Sequence, residues 1–122
     1  MCVANKFIND EQPIINGDGL ITRDYIYISD VVEANFKSLE DEVNGIYNVT
    51  SGIETNVNEI FQVLKSKTNS TAEEFHGPAK KGEQRRSVCS FEKFNSNHNW
   101  SPQVKFIDGI DKTVKYFKQS NK

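Results

Sequence analysis

The chain is poor in the residues that carry covalent or metal chemistry. It has two cysteines, Cys2 and Cys89, far apart and in no CxxC or Cys/His grouping. That spacing argues against a disulfide framework or a zinc site, and a reducing cytoplasm is the expected location. Two histidines, His76 and His98, have no evident metal partners, so no metal site is expected. No apolar run approaches the roughly 20 residues of a membrane span, and the N-terminal MCVANKFIND lacks the apolar stretch of a signal peptide. Net charge is −2 over 122 residues, so no global basic field recruits nucleic acid or a membrane surface. Catalytic motifs are missing too. There is no GxGxxG after an early strand, no GxSxG, no HExxH and no P-loop. No tyrosine is followed four residues later by lysine: Tyr25, Tyr27, Tyr47 and Tyr116 are followed there by Ser29, Val31, Ser51 and Ser120.

The most informative stretch is Asn16 to Val32, NGDGLITRDYIYISDVV. Asn16-Gly17-Asp18-Gly19 supplies the positive-φ positions of a tight turn. A β-rich run from Ile21 to Ile28 follows, with Tyr25 and Tyr27 alternating with Ile26 and Ile28. Ser29 or Asp30 is the expected cap of a helix reaching Leu39, with Val31, Val32, Phe36 and Leu39 on its apolar face. Ile46-Tyr47-Asn48-Val49 reads as a short buried strand. Asn56 and Glu59 form a capping-box pattern before Val57, Ile60, Phe61 and Leu64, the clearest amphipathic helix in the chain. Ser90 is expected to cap a helix carrying Phe91 and Phe94, and a last helix starts near Ile107. Residues 1–9 read as the end of a helix, with Val3, Phe7 and Ile8 on one side, and Pro13 to Ile15 as a short strand. Helices and short strands in mixed order predict one α+β or irregular α/β domain over residues 1–122.

The chemistry that remains is binding. Arg23 is a planar five-donor cation set on a strand beside a glycine turn, suited to clamping phosphate. Lys80, Lys81, Arg85 and Arg86 surround Glu83 in a basic loop that could supply a second cationic point. Glu83 could accept hydrogen bonds from sugar hydroxyls. Simpler readings stand beside these. Arg23 could merely pair with Asp24 along the strand, and the basic loop could be a solvated surface. Trp100 before Pro102 suits a core plug, Tyr25 and Tyr27 suit packing, and both histidines suit ordinary surface positions.

Four segments together resemble the extended short-chain dehydrogenase/reductase family of NAD-dependent nucleotide-sugar epimerases and dehydratases, UDP-glucose 4-epimerase among them. NGDGLITRDYIYISDVVEA is similar to the family's GDG-x-x-x-RDF-x-Y-V-x-D-V-V-x-A, and GIYNVTSGIETNVNEI to its G-x-YN-x-G-x-G-x-x-T-S-x-N-E-L. GPAKKGEQRRSVCSFEKF and NWSPQVKFIDGIDKTVKYF resemble its R-x-GD loop and its closing GW-x-P segment. The resemblance implies a small substrate-binding lobe, the C-terminal portion of such an enzyme, with the Rossmann domain absent. It implies that a UDP-sugar is held by Ile14, Ile15 and Asn16 at the uracil, by Arg23 at the diphosphate, and by Lys80 and Glu83 at phosphate and ribose. It further implies that NAD belongs to a missing Rossmann domain, with no cofactor expected for this chain alone and a separately encoded Rossmann half as an expected partner. On that expectation the chain contributes no catalytic residue and has no turnover by itself. The alternative is a non-catalytic nucleotide-sugar-binding or docking module.

Overall fold

The computed structural model describes residues 3–120. The elements run α1 (Val3–Ile8), β1 (Ile15–Asn16), β2 (Thr22–Asp24), α2 (Ile28–Glu40), β3 (Glu54–Asn56), α3 (Val57–Thr68), β4 (His76–Gly77), α4 (Glu92–His98) and α5 (Phe106–Ser120). β1 and β4 pair in parallel, Ile15 opposite His76, with helices in the connection between them. β2 and β3 pair antiparallel, with Arg23 opposite Thr55. Parallel strands need a long crossover, and here it contains α2 and α3. Strands alternating with helices around a parallel pair correct the α+β expectation: this is a partial Rossmann-like α/β arrangement, not a lobe from which that architecture is absent.

One core joins α1, α3 and α5. Ala4, Phe7, Ile15, Phe61, Leu64 and Val114 are buried there, and Phe7 meets Phe61 edge-on at 5.0 Å between ring centroids. Burying a ring such as Phe7 stabilises by about 2–3 kcal/mol. α3 begins as its sequence requires. Glu59 N–H donates to Asn56 Oδ1 at 2.8 Å, and Asn56 N–H donates to Glu59 Oε2 at 3.1 Å. A second core stacks Trp100 on Phe94 at 5.2 Å over Ala34, so Trp100 is the plug its position suggests.

α2 departs from expectation. It starts at Ile28 with Tyr27 as N-cap and no side-chain cap. Its buried residues are Asp30 and Ala34, while Val32, Phe36 and Leu39 are exposed. The reason is polar. The Asp30 carboxylate, 2% exposed, accepts from the backbone N–H groups of Gln103 at 3.2 Å and Val104 at 3.0 Å. A carboxylate oxygen, Asp30 Oδ2, that accepts from both donors fixes which face of the helix turns inward. Ile46–Val49 forms no strand, and Ile46 is 87% exposed. The expected strand from Ile21 to Ile28 shortens to Thr22–Asp24, the stretch for which β3 offers a partner.

Candidate functional site

Gly19 anchors the glycine turn. Its carbonyl accepts from the N–H groups of Val57 and Asn58 at the start of α3, at 3.0 and 3.3 Å, and the Asn58 side-chain amide donates to Asp18 O at 3.1 Å. Gly19 has φ +68°, and an added Cβ would overlap the Asn58 side chain. The turn therefore sits tightly against the helix N-terminus through backbone atoms.

The basic loop docks on this turn and on β2. Thr22 N–H donates to Arg85 O at 2.8 Å. Arg23 Nη1 donates to Thr22 O and Gln84 O, both at 2.7 Å. Each arginine faces a carboxylate: Arg85 Nη2 lies 3.0 Å from Asp18 Oδ2, Arg86 Nη2 2.6 Å from Glu54 Oε2, and Arg23 Nη2 3.7 Å from Glu83 Oε1. The Arg86 fork also engages Glu54 Oε1 through Nε at 3.0 Å, and Thr22 Oγ1 donates to the same oxygen at 2.6 Å. The Arg86 contact and then the Thr22 hydroxyl pull the Glu54 carboxyl down to about 2. A depressed carboxylate keeps its pairing until the pH falls through that value.

Arg85 and Arg86 are therefore not free charge. They latch the loop to the turn and to β3. Among the described residues Lys80 and Lys81 make no ion pair, so they carry the loop's uncompensated charge. At 3.7 Å the Arg23–Glu83 contact is an ion pair without a hydrogen bond, which leaves the Nη2 donors for an anion.

The structure brings Arg23 and Glu83 together. It places Lys80 next to Ala79, whose Cβ would lie 3.1 Å from a Cβ at Gly17. Ile14 and Asn16 are exposed, and Ile15 is 3% exposed with its side chain in the first core. Ile14 and Ile15 help line an apolar cavity of about 410 Å³ with Tyr25, Val57, Ile60 and Ile110, apart from the charged loop.

Sequence reasoning missed the partners of Asp24. Its carboxylate does not pair with Arg23. It accepts from Ser51 N–H at 2.8 Å, Ser51 Oγ at 2.6 Å, Gly52 N–H at 2.9 Å and the Thr50 hydroxyl. The donor-rich Thr50-Ser51-Gly52 turn was the one signal that an acceptor must lie nearby.

The fold and this latch define an α/β protein whose basic loop is tied to a glycine turn and to β3. Residues 1–113 match the family model described as GDP-mannose 4,6 dehydratase. The UDP-glucose 4-epimerase of Mycolicibacterium smegmatis is 35% identical over 109 residues, which are 88% of this chain and 34% of that protein. The crystal structure of UDP-glucose 4-epimerase with UDP-glucose from Thermotoga maritima aligns with a TM-score of 0.91 at 33% identity, covering 98% of this chain and 38% of that one. The Thermus thermophilus UDP-glucose 4-epimerase complex with NAD aligns with a TM-score of 0.86 at 31% identity, covering 94% and 38%. The chain belongs to the GDP-mannose 4,6 dehydratase family of nucleotide-sugar epimerases and dehydratases.

These matches correct several expectations. The family match runs along nearly the whole chain, so the description as only a C-terminal substrate-binding fragment, or as a non-catalytic docking module, is withdrawn. A relative in complex with NAD is matched over 94% of this chain. That match, which covers 38% of the relative's own chain, overturns the expectation that no cofactor belongs with the chain. Nothing supports a separately encoded Rossmann half as partner, because Rossmann-like alternation is present in the chain itself. The chain spans about a third of the length of the curated relatives it matches.

Proposed function

We propose that the chain takes part in NAD-dependent epimerase or dehydratase chemistry on a UDP-linked sugar, and that it binds the diphosphate of that substrate at Arg23. The observation that carries this reading is the convergence of Arg23, Glu83 and the loop bearing Lys80 beside the glycine turn. Arg23 is held along one edge by two carbonyls, so its guanidinium is oriented before any ligand arrives. The Nη2 edge would then meet phosphate oxygens, with Lys80 as the second cation. Glu83 would exchange its ion pair for ribose hydroxyls, and exposed Ile14 and Asn16 would flank the base. Ile15 would contribute through its backbone, since its side chain is in the core.

NAD, when bound, would supply hydride transfer at the sugar. Its pyrophosphate does not fit the GDG turn. A Cβ at Gly17 would meet Ala79 and one at Gly19 would meet Asn58, so this chain's own atoms fill the space that a cradling glycine leaves open.

Calorimetric titration of UDP-glucose into the wild type and Arg23→Ala tests the reading. Loss of a charge-assisted contact at a half-exposed site is expected to weaken affinity about tenfold, or about 1.4 kcal/mol. Arg23→Lys should recover only part of it, because a lysine lacks the fork. Equal affinity in the wild type and Arg23→Ala would reject the assignment.

A further inference from the structure

His76 stands first in β4 and touches the glycine turn, two elements that no sequence signal connects. Its Nδ1 lies 2.7 Å from Gly17 O, and its Nε2 lies 2.9 Å from Glu74 Oε1. The other Glu74 oxygen accepts from the Gln62 side chain of α3 at 2.8 Å. Gly17 N–H donates to Gly77 O at 2.9 Å. β4 thus holds both the N–H and the carbonyl of Gly17. The next residue, Asp18, receives Arg85, which carries the basic loop.

We propose that His76 is a positioning residue that clasps the glycine turn in a proton-dependent way and so makes nucleotide-end affinity depend on pH. The affinity part rests on the function proposed above. The imidazolium donates from both ring nitrogens, one to the Gly17 carbonyl and one to the Glu74 carboxylate. Neutral imidazole can donate from only one. If Nδ1 keeps its hydrogen, a bare Nε2 faces a carboxylate. If Nε2 keeps it, a bare Nδ1 faces a carbonyl oxygen. Either tautomer breaks one side of the clasp.

The charged groups around the ring favour the cation. Glu74 bonds it from the strand's approach, and Asp18 adds attraction from the turn. Lys65 on α3 and Arg85 on the loop act on those acids and partly offset them. The Glu74 contact first, then the Gly17 carbonyl, raise His76 above its ordinary 6.5. A raised histidine contributes fully below its unfolded value, and the contribution is lost as pH rises through the folded one. The clasp is therefore closed in mild acid and loosened in mild base.

The test uses the 122-residue chain. NMR follows the His76 ring and the Gly17 and Asp18 amides from about pH 5 to 9, and calorimetry follows UDP-glucose over the same range. UDP-glucose is chosen because its diphosphate diester keeps its charge there. The amides are expected to shift with the His76 midpoint, above 6.5. Affinity is expected to fall about threefold from acid to base, below the tenfold of a full unit of coupling because the pair is solvent-screened. His76→Asn can still donate to Gly17 O but cannot titrate, so it should flatten the pH profile at about the weaker affinity that the wild type shows in base. Glu74→Gln should lower the His76 midpoint. Gly17 and Asp18 amides that ignore the His76 titration overturn the clasp whether or not UDP-glucose binds. Binding whose affinity is flat with pH in the wild type overturns the link to the ligand. Amides that follow His76, with UDP-glucose bound at no pH, overturn the nucleotide reading and leave the clasp standing.

Discussion

Gly19→Ala is expected to lower the unfolding free energy by about 3 kcal/mol, read from urea denaturation of the purified chain. Two costs combine. The left-handed backbone at φ +68° is unfavourable for any residue with a Cβ, by about 1–2 kcal/mol. The new methyl would also overlap the Asn58 side chain, and overpacking of that kind costs about 1–3 kcal/mol. Turning Asn58 away would break the bond from its amide to Asp18 O, so the overlap is relieved only at the expense of that contact. Adding Asn58→Gly should relieve the overlap and not the dihedral cost, so the double variant should recover only part of the loss. A change below about 0.5 kcal/mol would mean that the turn does not rest on α3 as described.

Asp24→Ala is the second large effect, expected at about 2–3 kcal/mol. The carboxylate satisfies two backbone N–H groups and two hydroxyls of the Thr50–Gly52 turn, and alanine satisfies none of them. Solvent can reach part of this turn, which keeps the loss below that of a fully buried network. Acid should imitate the substitution. Partial burial works to raise the Asp24 carboxyl, but hydrogen bonds from the Ser51 and Thr50 hydroxyls and from the Ser51 and Gly52 N–H groups outweigh it and hold it below 3.8. A depressed carboxylate contributes above its unfolded value, and that contribution disappears as the pH falls through the folded one. The gap between wild type and Asp24→Ala should therefore be widest near neutrality and close toward strong acid. A gap unchanged from pH 7 to about pH 2 would contradict this assignment. Because β2 carries both residues, the variant should also weaken UDP-glucose binding at Arg23.

What the sequence disclosed was mostly local. The Asn56–Glu59 capping box was legible because both partners lie within one helical turn. Trp100 was readable as a plug from its neighbours, and the α3 face followed from spacing alone. The orientation of α2 was not legible. Its apolar positions suggested one inward face, yet a distant demand for an acceptor, from the Gln103 and Val104 backbone, turned Asp30 inward. Ile46–Val49 had the composition of a strand but no neighbouring edge to pair with.

The candidate site divides the same way. Arg23, Glu83 and Lys80 were nameable from residue type and resemblance, and Arg23 does meet Glu83. That Arg85 and Arg86 serve as latches, that Asp24 turns from Arg23 to the Thr50–Gly52 turn, and that His76 reaches Gly17 all depend on pairings between remote segments. Periodicity carries no record of such pairings. The parallel, Rossmann-like pairing was missed for a related reason. β1 and β4 are two residues each, too short to show an alternation, and their parallel register exists only once the intervening helices have folded.

The Asp30 tie has a kinetic side. It joins α2 to backbone 73 and 74 residues further along, so the chain between must be gathered before those bonds can close. Loop closure over that distance is entropically slow to reward, which places the tie late in assembly, when the rest of the structure is already gathered. The amide proton of Val104 should accordingly exchange with solvent only when the molecule opens globally. Its exchange rate, compared with that of the fraying end of α5, would then gauge how cooperatively the fold comes apart.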